Sequence, residues 1–320
     1  MKDNLAYRAA DNRYDLADKI YARCGRSGVL LPRISLGLWK GFGATRPLNE
    51  SMRMIHYAFD HGITHFDLAN NYGPPYGSAE ETFGVIMEQS MRPYRDEMFI
   101  ATKAGYDMWP GPYGNWGSRK YLMASLDQSL KRMKLNYVDL FYSHRYDPNT
   151  PLDETLQALV DVVRQGKALY VGISRWPLKA LQYAAQYLKA HDVPLLTYQG
   201  RFNLLDRAVE NEGILQEVEK IGCGFVSFSP LAQGLLTERY LHGIPADSRM
   251  RTDVTLKESA LTPQLFEQLN QLKAEAEAVG LTLPQYALQW VLNHPTVTSV
   301  IVGVSKVEQL KENLALLTNN

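Results

Sequence analysis

Four polar side chains that could hold or transfer a proton follow three consecutive apolar runs of the chain. The first run, HFDLANNYG, carries Asp67 and Tyr72; the second, FIATKAG, carries Lys103; the third, VDLFYSH, ends at His144. If these runs are neighbouring parallel strands of one barrel, their carboxyl ends share a rim and the four side chains converge there. Together they could protonate a carbonyl oxygen, which carbonyl reduction needs once a hydride is supplied.

The expected role of each side chain follows from its charge. A Lys103 ammonium about 4 Å from the Tyr72 oxygen would stabilise the phenolate by up to ~4 kcal/mol at an effective dielectric near 20. That interaction would lower the pKa of Tyr72 by as much as ~3. Asp67 would keep Lys103 charged, and His144 would orient the substrate carbonyl. A single strand-end Asp, Lys or His is more often a structural ion pair or cap, but four on three successive strand ends favour catalysis.

Short apolar runs alternate with longer segments of helical periodicity along the whole chain. The runs lie at 34–39, 63–69, 98–104, 138–144, 168–174, 195–200, 224–230 and 299–305. Each is mostly apolar on both faces, which is typical of strands buried on both sides in a parallel sheet. Strand followed by helix, eight times, predicts a single (β/α)8 barrel domain over residues 1–320. A doubly wound open sheet is the alternative.

The segments between and around the runs complete this prediction. Helices are expected at 49–61, 119–133, 152–165, 178–190, 210–221, 263–279, 284–293 and 306–317. Residues 20–33 contain a Gly-Arg-Ser-Gly turn and predict a β-hairpin before the barrel, with residues 1–19 as a possible flexible segment. Residues 105–118 and 231–262 are long loops that follow strands, so they would lie at the catalytic face and cover a ligand.

Composition excludes several classes of protein. The 34 basic and 34 acidic side chains cancel, which leaves no electrostatic footprint for nucleic acid or an anionic membrane. Cys24 and Cys223 are too few for a disulfide framework and favour a reducing compartment. The first residues have no apolar core of a secretory signal, and no run of about 18 apolar residues exists. We therefore expect a cytoplasmic protein.

Two glycine-containing motifs are candidate phosphate sites. GFGATR at 41–46 resembles the start of a dinucleotide fingerprint, but Arg46 stands where the third glycine would be, so we interpret it as a loop. GVSKVEQLKEN at 303–313 is a turn that ends the eighth run and opens a helix, where free amides could bind phosphate. Ser305 could equally be only a helix N-cap. Arg175 and Arg249 could add positive charge.

Two further groups of side chains bear on the site. His61 and His65 are four residues apart, but Gly62 between them marks a turn, so we expect no metal site. Aromatic side chains cluster on the predicted catalytic-face loops: Trp39, Tyr76, Trp109, Tyr113 and Trp116. Some would pack within the loops. Trp39 ends the first run and is the best candidate for a pocket wall.

At these residues the chain resembles the aldo-keto reductase superfamily. The similarity covers roughly Tyr21 to Leu317. The motifs that carry it are FDLANNYG, ATKAG, DLFYSHR, GISRW, SPLAQGLL, IPADSRM and GVSKVEQLKEN. The branch it resembles most holds voltage-gated potassium-channel β subunits and bacterial reductases of L-glyceraldehyde 3-phosphate and methylglyoxal. The stretches AGYDMWPGPYG, SRKYL and SPLAQGLL look most like the bacterial reductases.

The resemblance implies a barrel that binds NADPH in an extended form, without a Rossmann domain. In its terms Tyr72 is the general acid, Lys103 tunes it, Asp67 holds Lys103 and His144 positions the carbonyl. The implied contacts are Ser174, Arg175 and Gln199 for the nicotinamide; Ser229, Leu231 and Gly234 for the pyrophosphate; Arg249, Ser305 and Gln309 for the 2′-phosphate; Glu312 and Asn313 near adenine; and Trp39, Asp67 and Gly303 elsewhere along NADPH. The predicted substrate pocket comprises Trp39, Tyr72, Trp109, His144 and Arg145. Because Arg145 is adjacent to His144 in the sequence, it could help to hold a substrate phosphate.

These implications favour an NADPH-dependent reductase of small aldehydes, including L-glyceraldehyde 3-phosphate and methylglyoxal. The alternative is a regulatory or redox-sensing subunit that binds NADPH and acts through a partner such as a channel. Channel β subunits carry Asn where this chain has His144, so the complete set of four favours the reductase. A Schiff-base aldolase using Lys103 is a weaker third hypothesis. The branch also implies a tetramer or larger homo-oligomer, and a segment past the last barrel helix, whereas this sequence ends at Asn320.

Overall fold

Ten strands form a two-stranded hairpin and a closed eight-stranded barrel in the computed structural model, which describes residues 7–240, 243–245, 248–252 and 256–318. The strands are β1 (Tyr21–Arg23), β2 (Leu30–Pro32), β3 (Ile34–Gly37), β4 (His65–Asp67), β5 (Phe99–Ala104), β6 (Val138–Ser143), β7 (Ala168–Ser174), β8 (Leu195–Arg201), β9 (Gly224–Phe228) and β10 (Val297–Val302). Every barrel strand pairs in parallel with its neighbour in chain order, and β10 closes the ring against β3. The predicted (β/α)8 barrel is confirmed, and the open-sheet alternative is wrong.

The barrel strands are apolar on both faces because both faces are buried. Every residue of β4, β6 and β10 is buried, so these strands lack the polar face of a half-exposed strand. Inward-facing side chains fill the barrel as one cluster with the hairpin: Cys24, Leu31, Ala101, Leu140, Tyr142, Leu196, Val226 and Ile301. The eighth barrel strand runs over 297–302 rather than the predicted 299–305, so Gly303 and Ser305 lie in the loop beyond it.

The predicted hairpin closes the amino-terminal end of the barrel. β1 and β2 pair antiparallel, with Ala22 opposite Leu31. The backbone N–H of Arg26 donates to the Gly222 carbonyl at 2.8 Å, just before β9 begins. The Cys24 thiol lies 3.6 Å from the Leu196 carbonyl at the start of β8. The hairpin therefore seals the end of the barrel opposite the predicted site.

The helices lie outside the strands, mostly where the periodicity predicts them. They are α1 (Ala17–Ile20), α2 (Leu48–Asp60), α3 (Ser78–Ile86), α4 (Arg119–Met133), α5 (Leu152–Arg164), α6 (Leu178–Ala190), α7 (Ala208–Asn211), α8 (Ile214–Ile221), α9 (Arg249–Thr252), α10 (Pro263–Ala278), α11 (Leu283–Leu292) and α12 (Val307–Thr318). The helix predicted over 210–221 is in fact two, because Gly213 between them has φ +78°. The sequence prediction did not include α3, which continues into a π-helical turn (Met87–Met91) and a 3₁₀ turn (Arg92–Glu97).

The two long loops differ in structure, and the N-terminal segment contacts the helical layer. Residues 105–118 contain no strand or helix, whereas the described parts of 231–262 carry short helical turns. From Tyr7 onward, the segment that we expected to be flexible is hydrogen-bonded to the helical layer. The Tyr7 hydroxyl donates to Asp60 at 2.7 Å, and the Ala9 N–H donates to the Tyr94 hydroxyl at 3.0 Å.

Candidate active site

The four candidate catalytic side chains, which the sequence places at or after strand ends, lie together at the carboxyl end of the barrel. Asp67 is the last residue of β4, and Lys103 is the second-last residue of β5. His144 directly follows β6, and its N–H donates to the Ala104 carbonyl at 2.9 Å. Tyr72 follows Asp67 by five residues, in the loop before α3. Parallel pairing of these three strands produces the convergence that the sequence predicts.

Lys103 is fully buried and donates three hydrogen bonds. Its Nζ lies 2.5 Å from Asp67 Oδ2, 2.7 Å from the Leu68 carbonyl and 3.3 Å from Tyr72 Oη. An ammonium group has three N–H donors and no acceptor, so each donor has one partner. Tyr72 Oη therefore accepts from Lys103, and its own proton remains available to donate. Gln199 Nε2 holds the other Asp67 oxygen at 3.0 Å.

The pKa of Tyr72 moves in the opposite direction to our sequence prediction. Burial raises the pKa of Tyr72 well above 10, and the negative charge of Asp67 raises it further. The sequence instead predicts that the Lys103 charge lowers it. Burial decides the direction, because removing the hydroxyl from water disfavours the charged phenolate. Tyr72 consequently holds its proton at neutral pH, the state a general acid needs.

His144 is a neutral imidazole beside this hydroxyl. Burial lowers the pKa of His144 well below 6.5, and the positive charges of Lys103, Arg175 and Arg145 act in the same direction. Its ring lies edge-on to Tyr72, with 5.9 Å between ring centroids. His144 Nδ1 is sealed from solvent and has no hydrogen-bond partner among the described residues. A neutral imidazole carries one N–H, which can donate to an uncharged carbonyl oxygen.

The turn that presents Tyr72 is fixed on both sides. The Asn70 N–H donates to the Lys103 carbonyl at 2.9 Å, and its side-chain amide donates to the Tyr121 hydroxyl at 2.9 Å. Gly73 has φ +89°, and a Cβ there would lie 2.2 Å from Ser78 Oγ. A side chain at this position would be both strained and obstructed, so the turn requires glycine.

The residues expected to contact the nicotinamide lie next to the four candidate catalytic side chains. Ser174 ends β7, directly opposite Gln199 on β8, and both side chains are buried. Gln199 is already bonded to Asp67 and therefore belongs to the same polar network. Arg175 is exposed, has φ +59°, and donates to the Tyr106 hydroxyl at 3.0 Å. The structure thus brings this predicted group against the four.

The residues expected at the pyrophosphate follow β9. Ser229 and Gly234 both have positive φ, +53° and +99°, and bracket Leu231 in a tight turn. The Ser229 carbonyl accepts from the Asn203 side chain at 2.9 Å. This turn lies at the same end of the barrel as the four, because it begins directly after the carboxyl end of β9.

The residues expected at the adenosine end lie after β10. The Ser305 N–H and hydroxyl both donate to Gln309 Oε1, at 2.8 and 3.1 Å. Because α12 begins at Val307, Ser305 precedes the N-cap position, and the N-cap interpretation does not hold. Asn313 is buried on α12, whereas Glu312 and Gly303 are exposed. The side chain of Arg249 lies outside the described residues.

Two residues at this face were missed by sequence reasoning. GFGATR forms a loop, as interpreted, but Arg46 Nη1 donates to the Gly41 carbonyl at 2.7 Å and Nη2 donates to the Ser305 carbonyl. It thereby ties two catalytic-face loops together. Tyr106 lies with its ring centroid 4.7 Å from that of His144. Its position directly after the β5 strand end was the available signal.

The aromatic side chains predicted at this face lie in different surroundings. Trp39 is 37% exposed, and its ring centroid lies 6.3 Å from that of Tyr72, as a pocket wall requires. Trp109 instead packs against Tyr121 at 5.1 Å and belongs to the core of its loop. Tyr76 and Tyr113 are exposed. Trp116 stacks on the guanidinium of Arg145 at 3.6 Å.

The part of the chain that the structure describes gives no indication of a clustered metal site or of a membrane-spanning helix. Within those residues, no three His, Cys, Asp or Glu side chains are grouped as a metal site requires. No described helix has the length and apolar character needed to cross a bilayer. His65 is buried inside the barrel, whereas His61 bonds to the Tyr57 carbonyl on α2 at 2.8 Å.

Comparison with known proteins gives one consistent result. The model of the aldo/keto reductase family matches residues 33–320. L-glyceraldehyde 3-phosphate reductase of Escherichia coli (strain K12) is 52% identical over 304 residues, covering 93% of this chain and 88% of that protein. Probable voltage-gated potassium channel β subunits are more distant. Those of Oryza sativa subsp. japonica and Arabidopsis thaliana are 35% and 34% identical, covering 93% and 92% of this chain and 90% of each protein.

Proposed function

The chain belongs to the aldo/keto reductase family and is an oxidoreductase that acts on aldehydes, and from this premise we propose that it uses NADPH to reduce L-glyceraldehyde 3-phosphate, methylglyoxal and similar small aldehydes. The hydrogen bond from Lys103 to Tyr72 carries the proposal, because it leaves the tyrosine proton directed to a substrate. The 52% identical reductase of L-glyceraldehyde 3-phosphate supports the choice of substrate.

The chemistry of the four side chains follows from their contacts. The carbonyl oxygen of the aldehyde is placed against Tyr72 Oη and the N–H of His144. NADPH, when bound, supplies a hydride to the carbonyl carbon. Tyr72 gives its proton to the carbonyl oxygen, and its phenolate is left beside the Lys103 ammonium, which already donates to it at 3.3 Å. Asp67, at 2.5 Å, keeps that ammonium in place throughout.

The residues present fit an extended NADPH molecule. Ser174 and Gln199 are buried, and Gln199 is bonded to Asp67; they offer a hydroxyl and an amide group to the nicotinamide carboxamide. The turn of Ser229, Leu231 and Gly234 would hold the pyrophosphate. The 2′-phosphate would be held by Arg249, Ser305 and Gln309, with Glu312 and Asn313 at the adenine. Trp39, Asp67 and Gly303 complete the proposed contacts.

The Ser305 turn has a specific requirement. Gln309 Oε1 now accepts from both the N–H and the hydroxyl of Ser305, which are the donors a phosphate would use. The Gln309 side chain must therefore rotate away before a phosphate can bind there. Its own amide N–H groups can then face the phosphate. This rearrangement involves only one exposed side chain at the start of α12.

A Schiff-base aldolase is disfavoured by the same contacts. A lysine that attacks a carbonyl must present a free amine. All three donors of Lys103 are engaged, and Asp67 favours the charged form at 2.5 Å.

A regulatory subunit is the second candidate, because two relatives are probable potassium channel β subunits at 35% and 34% identity. It predicts tight NADPH binding with negligible turnover and a partner protein. The complete set of Asp67, Tyr72, Lys103 and His144 supports the reductase instead. Each side chain of the set has a role in proton transfer.

The test is NADPH oxidation, followed by absorbance, with methylglyoxal and with both enantiomers of glyceraldehyde 3-phosphate. The proposal expects rapid turnover, a preference for the L-phosphate and weak use of NADH. Tight NADPH binding with negligible turnover of all three aldehydes would overturn it in favour of the regulatory subunit. Turnover supported equally by NADH would overturn only the choice of cofactor.

A further inference from the structure

We propose that Arg145 binds the phosphate group of a phosphorylated aldehyde at the mouth of the barrel. This rests on the proposed function, because it names the group that selects substrates at the same site. Four features carry it: how the guanidinium is held, which of its N–H groups remain free, the charge around it and its distance from the catalytic groups.

The Arg145 guanidinium is hydrogen-bonded along one edge and lies against two aromatic rings. Nε donates to the Gly105 carbonyl at 2.7 Å, and Nη2 donates to Asn115 Oδ1 at 2.7 Å. The rings of Trp116 and Tyr106 lie over its plane, with centroids 3.6 and 4.4 Å from the central carbon. An arginine that is held in this way loses little side-chain entropy when it binds a ligand.

The opposite end of the guanidinium fork is free. Nε and one N–H of Nη2 are used by Gly105 and Asn115. Nη1 and the other N–H of Nη2 have no partner among the described residues. These groups form parallel donors of the kind that bind two oxygens of one phosphate. Asn115 is itself held by the loop, since its amide donates to Asp107.

The charge of Arg145 is not neutralised by any described side chain. By contrast, Lys103 is paired with Asp67, and Arg132 is paired with Glu80. Neither Arg145 nor Arg175 forms an ion pair with a described carboxylate. Two adjacent uncompensated guanidinium groups create a positive region that favours an anion.

This positive region adjoins the reacting groups. Tyr106 contacts both arginines: its ring lies under Arg145, and its hydroxyl accepts from Arg175 at 3.0 Å. The same ring lies edge-on to His144 at 4.7 Å. A three-carbon aldehyde held by Tyr72 and His144 thus has its far end directed toward Arg145. The aldehyde end and the phosphate end have separate partners.

The experiment compares L-glyceraldehyde 3-phosphate with L-glyceraldehyde, which lacks only the phosphate. The readout is the ratio of their kcat/KM values in the wild-type protein and in Arg145→Gln, Arg145→Lys and Asn115→Ala. Arg145→Gln should lower this ratio about 10- to 100-fold, the size expected for charge-assisted hydrogen bonds. The ratio for Arg145→Lys should lie between those of the wild type and Arg145→Gln. Lysine keeps the positive charge but cannot offer the two parallel N–H donors of a guanidinium.

Asn115→Ala is the comparison variant, because it removes one hydrogen bond that holds the guanidinium and leaves the arginine charge. A less firmly held arginine still attracts phosphate, so Asn115→Ala should lower the ratio less than Arg145→Gln does. An unchanged ratio in Arg145→Gln would overturn the proposal. So would a fall in Asn115→Ala as large as that in Arg145→Gln, because it would show that disturbing the loop, rather than losing the charge, lowers the ratio.

Inorganic phosphate tests the site without turnover. Calorimetry with NADP+ at saturation, which occupies the cofactor's own phosphate sites, should detect phosphate binding to the wild-type protein and lose it in Arg145→Gln. Equal binding to both proteins would overturn the Arg145 proposal. If L-glyceraldehyde is reduced and the ratio does not respond to Arg145, this inference fails while the proposed function stands. If neither aldehyde is reduced, the proposed function fails, and phosphate binding still decides the role of Arg145.

Discussion

At the scale of single residues, Lys103 organises the candidate site. It is fully buried, and its three N–H groups reach Asp67, the Leu68 carbonyl and Tyr72. The residue types and the strand-end positions could be read from the sequence, since parallel strands bring their carboxyl ends together. The direction in which the pKa of Tyr72 is shifted could not be read from the sequence. It depends on the burial of the hydroxyl and on the nearby Asp67 charge, both of which are set by tertiary packing.

Removing the Asp67 charge should destabilise the protein. Asp67→Asn leaves a fully buried ammonium without its counter-charge, and breaking such a pair costs about 3–5 kcal/mol. Urea unfolding at neutral pH measures this free energy. Activity should also fall, because Lys103 loses the group that keeps it charged beside Tyr72.

The double variant Asp67→Asn with Lys103→Met separates stability from activity. Both charges are then absent, so most of the lost unfolding free energy should return while turnover stays abolished. If the double variant were as unstable as Asp67→Asn, the loss would come from packing rather than from an unpaired charge. That result would contradict the account of this ion pair.

At the scale of elements, the strands could be predicted more fully than the helices. A strand buried on both faces has an unbroken apolar run, and all eight such runs became barrel strands. The α3 helix was missed because it follows the turn-rich GPPYG and carries Gly84 in its interior. The close packing of α3 against α4 requires glycine at this position, since a Cβ there would lie 2.1 Å from the Arg132 carbonyl oxygen. That reason is visible only once the helices are packed.

His65 joins three strands through a buried polar cluster inside the barrel. Its Nδ1 lies 2.8 Å from Ser35 Oγ on β3, which in turn lies 2.6 Å from Ser299 Oγ on β10. Burial lowers the pKa of His65 to about 4, against an ordinary value of 6.5. Because protonation is harder in the folded state, this histidine's contribution is complete above pH 6.5 and is lost as the pH falls toward 4.

Because the pKa of His65 is lower in the folded than in the unfolded state, lowering the pH from 8 to 5 should reduce the free energy of unfolding by about 2 kcal/mol. Urea unfolding at both pH values measures it, with His65→Gln as the control. His144 also has a lowered pKa and titrates in both proteins. The difference between wild type and His65→Gln therefore isolates His65. A pH dependence that is identical in the two proteins would show that His65 is not the titrating group.

At the scale of the whole molecule, closure of the barrel determines which loops and side chains lie close together. The sequence predicts the barrel, the hairpin and the end at which the site lies, and family membership confirms the resemblance of its motifs. It does not predict that Tyr106 joins His144 to two arginines, or that Arg46 reaches the Ser305 turn. Those contacts join loops far apart in sequence, and only the folded barrel brings these loops together. The substrate specificity is expected to depend on these loop contacts.

The most direct test of the account is single-turnover NADPH oxidation with L-glyceraldehyde 3-phosphate in the wild type, Tyr72→Phe and Tyr142→Phe. Tyr142 is the matched control, since it is a fully buried tyrosine in the same barrel whose hydroxyl accepts from Thr197 at 2.9 Å. Loss of the general acid should slow Tyr72→Phe about 10²- to 10⁴-fold, with NADPH affinity nearly unchanged and Tyr142→Phe close to wild type. A Tyr72→Phe protein that retains more than about a tenth of the wild-type rate would contradict Tyr72 as the acid.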